Sequence, residues 1–210
     1  MLFKDAVSPG MLELLIKLQS EELLKGFYLA GGTSLSLQIG HRISVDLDLF
    51  STDDFAVEEM LEFLESNYNF ASFYTSKNTI RGSIDEIKID IISHKYPLVE
   101  PPVFREGVAL ISIKDISAMK LNAIALDGTR SKDFVDLYFL LKQFSIEEIL
   151  GFYQKKYKTR NMLHVLKSLT YFSEVKLSDW PVMLKEKQLR FGLISRDIET
   201  KVNRHIQSMK

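Results

Sequence analysis

Apolar and polar positions divide the chain in two. Through residue 111, short segments with a two-residue period alternate with single amphipathic helices; from Ser112 the period is helical throughout. Residues 9–26 read as a first helix, with Leu12, Leu15, Ile16, Gln19 and Leu23 on one face and Gly26 as its stop. An apolar strand over 27–30 leads into Gly31-Gly32, and 33–39 can form a short helix. Val45, Leu47 and Leu49 then alternate with Asp46 and Asp48, the period of a strand. Asp53 or Asp54 can cap a helix over about 55–67, with Val57, Met60, Leu61 and Leu64 inward. Residues 70–75, 79–84 and 86–92 read as strands, the last two joined tightly around Asp85. Pro97, Pro101 and Pro102 mark a loop before a final short strand over 108–111.

Beyond it, Ser112 with Asp115 and Ser145 with Glu148 form capping-box-like starts. Helices are expected at 113–127, 132–143, 146–157, 160–171 and 190–207, interrupted at Pro181 with Trp180 as a packing anchor. The expected class is α+β: a small mixed β-sheet domain with flanking helices over 1–111, then a helical domain over 112–210.

Composition narrows the classes. At 210 residues, 46% hydrophobic and 26% charged, the chain can bury a substantial core as an ordinary globular protein. Without cysteine it has no disulfide framework, no thiolate zinc site and no cysteine nucleophile. Neither a signal-peptide core nor a run approaching the roughly 20 apolar residues of a membrane span is present, so a cytoplasmic protein is expected. Residues 1–150 hold 14 Lys/Arg against 23 Asp/Glu, and residues 151–210 hold 13 against 5. That asymmetry fits a catalytic part joined to a polyanion-holding part, or a basic helical tail packed on an acidic body.

The chemistry concentrates in 31–50. Side chains two apart on a strand share a face, so Asp46 and Asp48 stand roughly 7 Å apart on the polar side. Such a pair suits a hard divalent ion such as Mg²⁺. Gly31 and Gly32 permit close backbone approach, and the amides of the following helix attract phosphate. A glycine turn alone is usually a turn, and an Asp-x-Asp alone is often a solvated face. Joined in one strand–helix–strand unit, they point to phosphoryl or nucleotidyl transfer. The competing phosphate loops, Gly-x-x-x-x-Gly-Lys-Ser/Thr and Gly-x-Gly-x-x-Gly, are absent.

Other residues can complete that site. Asp90, set among isoleucines on an expected central strand, is a third carboxylate and candidate general base; a triad of this kind can hold two ions. The bland alternative, a strand end facing a loop donor, is disfavoured by the cost of a buried unpaired carboxylate. Lys120 shares a helix face with Ile116 and Ile124, and so either reaches to solvent or aims at a fixed anion. Ser131 is read as the cap of the next helix, where Asp133 and Asp136 share one side and could orient Lys120 or help hold a nucleotide. Asp133 could equally serve the helix dipole, and Asp136 could pair with Lys132. His41, beside Arg42 just before the acidic strand, could help bind phosphate or be a loop residue. Lys155, Lys156, Lys158 and Arg160, interleaved with Tyr153 and Tyr157, could grip RNA or form a solvated helix face.

Four segments in this order resemble the AbiEii family. They are Leu29-Ala30-Gly31-Gly32-Thr33-Ser34-Leu35, His41-Arg42-x-Ser44-x-Asp46-x-Asp48-x-Phe50, Met119-Lys120-Leu121-x-Ala123-Ile124 and Arg130-x-Lys132-Asp133-x-x-Asp136-Leu137. Members are nucleotidyltransferase-like toxins of bacterial type IV toxin–antitoxin systems, within the DNA polymerase β-like superfamily. The resemblance spans roughly residues 27–140 and implies an enzyme using Mg²⁺ (or Mn²⁺) and a nucleoside triphosphate. It further implies transfer to RNA, with tRNA 3′ ends favoured, and a cognate antitoxin as partner. By position, Gly31, Gly32, Ser34 or Thr33, Arg42 and Lys120 would contact the nucleotide. Asp46, Asp48 and Asp90 would hold metal, and Asp133 or Asp136 would complete the site from the helical part. The alternatives are a protein or small-molecule acceptor, and a catalytically silent partner-binding protein of the same fold.

Overall fold

A computed structural model describes residues 1–208. The described residues form two compact units, one of residues 1–97 and 101–111, the other of 98–100 and 112–208.

The first unit contains α1 (Pro9–Ser20), β1 (Tyr28–Leu29), α2 (Gly31–Ile39), β2 (Asp46–Ser51) and α3 (Val57–Tyr68). After these come β3 (Ala71–Ser76), β4 (Thr79–Ile84), β5 (Ile87–Ser93), β6 (Val103–Arg105) and β7 (Val108–Leu110). Its seven described strands make one mixed sheet ordered β3-β4-β5-β2-β1-β7-β6, parallel at β5–β2 and β1–β7 and antiparallel elsewhere. Leu29, Leu47, Leu49, Ile89 and Ile91 form one apolar core with Met11, Leu15 and Leu18 of α1 and Met60 and Leu64 of α3.

Several local expectations shift. Ser8 caps α1 by accepting from the Met11 amide at 3.3 Å, with Pro9 at the first helical position. Of the expected face, Leu15 is buried and Leu12 packs half-buried against the core, but Ile16 is exposed and Met11 and Leu18 complete the buried stripe. Gln19 instead ties α1 to β7, donating to the Ala109 carbonyl (2.9 Å) and accepting from the Ala109 amide (3.0 Å). Leu23 leaves that helix altogether, because Glu21 turns extended and a 3₁₀ turn follows. Neither Asp53 nor Asp54 caps α3; Ala56 holds that position, and the Asp54 carboxylate is bound by Asn78 and Lys95. The unanticipated strand β6 pairs with β7 through Glu106-Gly107, both at positive φ (51° and 82°) as a tight hairpin turn requires. Three residues are too few to show a period.

The second unit is helical: α4 (Ile113–Leu126), α5 (Ser131–Leu140), α6 (Ile146–Tyr157), α7 (Leu163–Ser168) and α8 (Phe191–Ser208). Ser112 caps α4 by accepting from the Asp115 amide (3.0 Å), and Ser145 with Glu148 closes a full capping box on α6. Ser131 is not a cap. It is the first residue of α5 after the cap Arg130, and its amide and hydroxyl both go to Asp179 (3.1 and 2.6 Å). Trp180 stays half-buried, and the aromatic anchor is Phe134, met edge-on by Phe172 and Phe191 at 5.5 and 5.9 Å.

Part of the basic run is structural. Lys156 is 1% exposed, and its ammonium lies 2.8 Å from Oδ1 of the fully buried Asp115. The same carboxylate accepts from the amides of Val99 (2.9 Å) and Glu100 (3.1 Å) and from the Ser112 hydroxyl (2.6 Å). Lys155 donates to the Val99 carbonyl at 2.8 Å, and Tyr153 is buried. Lys156 and Tyr153 are thus buried parts of the helical unit and not a surface for RNA, whereas Lys155 stays exposed.

Candidate active site

The strict alternation of β2 sets the site. Leu47 and Leu49 enter the core, while Asp46, Asp48 and Phe50 project half-buried from the opposite face. In register, Asp48 stands beside Asp90 of β5 and Asp46 beside Lys88. All three expected metal carboxylates therefore share one face of adjacent strands.

The start of α2 lies against the same strand. The Ala30 amide donates to the Asp48 carbonyl at 2.7 Å, after which the chain turns into the helix at Gly31. Gly31 has φ of +64°, and a Cβ built there would fall 2.0 Å from Asp48 Oδ2. Any other residue there would strain the left-handed backbone and displace the Asp48 carboxylate. The carboxylate of Asp48 thus sits against the first turn, where the amides of Gly31, Gly32 and Thr33 have no partner four residues back within the helix.

The hydroxyls expected at the triphosphate are turned inward. Thr33 Oγ1 lies between the Ser44 hydroxyl (2.8 Å) and the Asp46 carbonyl oxygen, tying the helix start to the acidic strand. Ser34, fully buried, accepts from Gln38 Nε2 at 3.2 Å, and Gln38 also donates to the Ile111 carbonyl. Arg42 is buried too, with Nη1 donating to the Ile43 carbonyl (3.0 Å) and to Ser44 Oγ (3.2 Å). Thr33 and Arg42 brace the loop between α2 and β2, and Ser34 bonds within α2. What α2 offers outward is backbone.

Asp90 is flanked by cations. Arg81, its register partner on β4, places Nε 3.4 Å from Oδ2, and Lys88 places Nζ 3.6 Å from Oδ1. Oδ1 is buried and has no hydrogen-bond partner among the described residues. Arg81 escaped sequence reading because only strand register puts it opposite Asp90. Among the described residues no group of three His, Asp or Glu side chains is drawn together as a ready metal cage. The donor set nonetheless fits a hard divalent ion: oxygen ligands on one face, an orphaned carboxylate oxygen, and a glycine whose missing Cβ lets the Asp48 carboxylate reach the start of α2.

Within the second unit, Lys120 on α4 meets both acids of α5. Its ammonium lies 2.7 Å from Asp133 Oδ1 and 2.6 Å from Asp136 Oδ2, with all three residues buried. Arg130 Nε approaches Asp133 Oδ2 at 3.6 Å, and that oxygen has no hydrogen bond among the described residues. The two acids therefore orient the lysine, and Asp133 does more than complement a helix dipole.

A family model described as "Nucleotidyl transferase AbiEii toxin, Type IV TA system" matches residues 13–204. The chain belongs to the AbiEii family. An uncharacterized protein of Aquifex aeolicus (strain VF5) is 35% identical to this AbiEii member over 173 residues, covering 78% of this chain and 82% of the relative. The crystal structure of JHP933 from Helicobacter pylori is similar with a TM-score of 0.49 at 21% identity, over 97% of each chain. As an AbiEii protein the chain is a nucleotidyltransferase of a type IV toxin–antitoxin family, with the mixed α/β architecture described above. No described helix is long and apolar enough to cross a membrane.

The glycine at the start of α2 makes a prediction for this AbiEii enzyme. Gly31→Ala should displace the Asp48 carboxylate and cost roughly 1–2 kcal/mol for the left-handed backbone. Transfer activity should fall by more than about tenfold while thermal unfolding stays cooperative. An alanine variant with unchanged activity would show that Asp48 can move without consequence.

Proposed function

We propose that this enzyme transfers a nucleotidyl group from a nucleoside triphosphate to the 3′ end of an RNA, with tRNA the favoured acceptor class. The observation that carries this reading is the Asp48 carboxylate set against Gly31 at the amide-rich start of α2. It supports a divalent ion and a polyphosphate as neighbours. Asp46 and Asp48 would hold Mg²⁺ or Mn²⁺, with Asp90 as third ligand. When bound, such an ion supplies charge neutralisation on the phosphates.

The chain's own residues would do the rest. Amides of Gly31 and Gly32 orient the triphosphate. The acceptor hydroxyl attacks the α-phosphorus, its proton passes to Asp90, and the bond to the leaving pyrophosphate breaks. Lys120, assigned on the family motif, neutralises phosphate charge, and Asp133 with Asp136 fixes its ammonium. The excess of Lys/Arg over Asp/Glu in residues 151–210, 13 against 5, favours a polyanionic acceptor even with Lys156 buried. A cognate antitoxin would restrain the activity.

The test is incubation of the purified chain with bulk tRNA, Mg²⁺ and each labelled nucleotide in turn. Label entering RNA is expected with at least one of them. Label entering only protein or a small molecule would overturn the RNA assignment and keep the reaction. For Lys120, a folded Lys120→Arg variant should retain the pair with α5 yet bind nucleotide about tenfold more weakly, because a guanidinium cannot reproduce the compact ammonium. Unchanged affinity, read by calorimetry, would take Lys120 out of the site.

A further inference from the structure

The face that bears the carboxylates does not end with them. Asp46, Asp48 and Phe50 succeed one another on the same side of β2, so the Phe50 ring follows Asp48 by one strand repeat, roughly 7 Å. Alongside, β5 carries Asp90 opposite Asp48 and Ile92 opposite Phe50. The pairing continues past the strand end, where the His94 amide donates to the Ser51 carbonyl at 2.7 Å. His94 is thereby held with its ring 5.6 Å from Phe50 and tilted by 32°, and the Tyr96 ring follows at 4.9 Å. Phe50 and His94 are half-buried, and Tyr96 is 43% exposed.

The apolar core does not account for this row, because it lies on the opposite face with Leu47, Leu49, Ile89 and Ile91. We propose that Phe50, His94 and Tyr96 form a nucleobase-stacking platform beside the catalytic carboxylates. The inference rests on the nucleotidyl-transfer reading above. A ligand whose phosphates lie at Asp48 and the start of α2 carries a planar, uncharged base that needs an aromatic surface within reach. Stacking on such rings tolerates every base, since each has a π-face. Two sources supply that chemistry: the base of the incoming nucleotide and the terminal base of the RNA acceptor.

Calorimetry on the full chain separates them, using inorganic tripolyphosphate, a non-hydrolysable nucleoside triphosphate and a short single-stranded RNA as titrants. Phe50→Leu and Tyr96→Leu keep an apolar side chain and remove the π-face. Both variants should bind tripolyphosphate as the unmodified chain does. Affinity for the nucleoside triphosphate should fall about tenfold if its base occupies the platform, and the same loss confined to RNA would assign the platform to the acceptor. If Phe50→Leu fails to fold, Tyr96→Leu at its exposed position carries the test. Unchanged affinity for both base-bearing ligands in a folded variant would overturn the platform while leaving the phosphate site standing. Failure of the unmodified chain to bind tripolyphosphate would overturn the phosphate site, and the platform with it.

Discussion

Asp46→Asn is expected to abolish nucleotidyl transfer and to leave the fold as it is. Asp46 projects half-buried from the polar face of β2, and the core is made by its neighbours Leu47 and Leu49. Thr33 reaches the backbone carbonyl of residue 46, which asparagine keeps, so the brace between α2 and β2 survives. What disappears is one negative charge at the mouth of the proposed metal site. A ligated ion is worth several kcal/mol of transition-state charge stabilisation, so its loss should slow transfer by about 10³-fold or more. The expected result is a midpoint of thermal unfolding within a degree or two of the unmodified chain, with label incorporation at background. Activity within a factor of ten would move the metal to other ligands and remove Asp46 from the site.

The largest effect on stability is expected in the helical unit, at Asp115 and Lys156. The two charges meet at 2.8 Å with side chains 0% and 1% exposed, and Asp115 also receives two amides and a hydroxyl. Removing one partner of a buried pair leaves an uncompensated charge and costs about 3–5 kcal/mol. Asp115→Ala should lie at the upper end, since it removes the carboxylate from the ammonium of Lys156 and from the amides of Val99 and Glu100 together. Lys156→Met should cost less, because three donors still serve the carboxylate. Urea unfolding of each variant measures both values. A loss below about 1 kcal/mol for Asp115→Ala would mean that water reaches this pair and the burial does not hold in solution.

Asp46 and Lys156 differ in how much neighbouring residues reveal of them. Asp46 was legible in the chain: the alternation of Val45, Leu47 and Leu49 with two acids announces which side chains face away from a core. The caps at Ser112 and Ser145, the strand 79–84 and the helix 146–157 were equally legible, because capping and periodicity act over three or four residues. Lys156 was not. A lysine in a basic run is ordinarily a solvated residue, and only the fold shows Asp115, 41 positions earlier, inside the same core.

Apart from the short strand β6, the order of strands and helices, the polar face of β2 and the glycine start of α2 are written in neighbouring residues. Tertiary structure decided who meets whom. It set Asp90 beside Asp48 and against Arg81, and it placed Lys120 between Asp133 and Asp136. It also turned the Thr33 hydroxyl toward Ser44 and aligned Phe50 with His94 and Tyr96. Periodicity reports which face of an element is apolar. The partner a polar side chain finds depends on strand register and helix packing, which residues distant in the chain decide together.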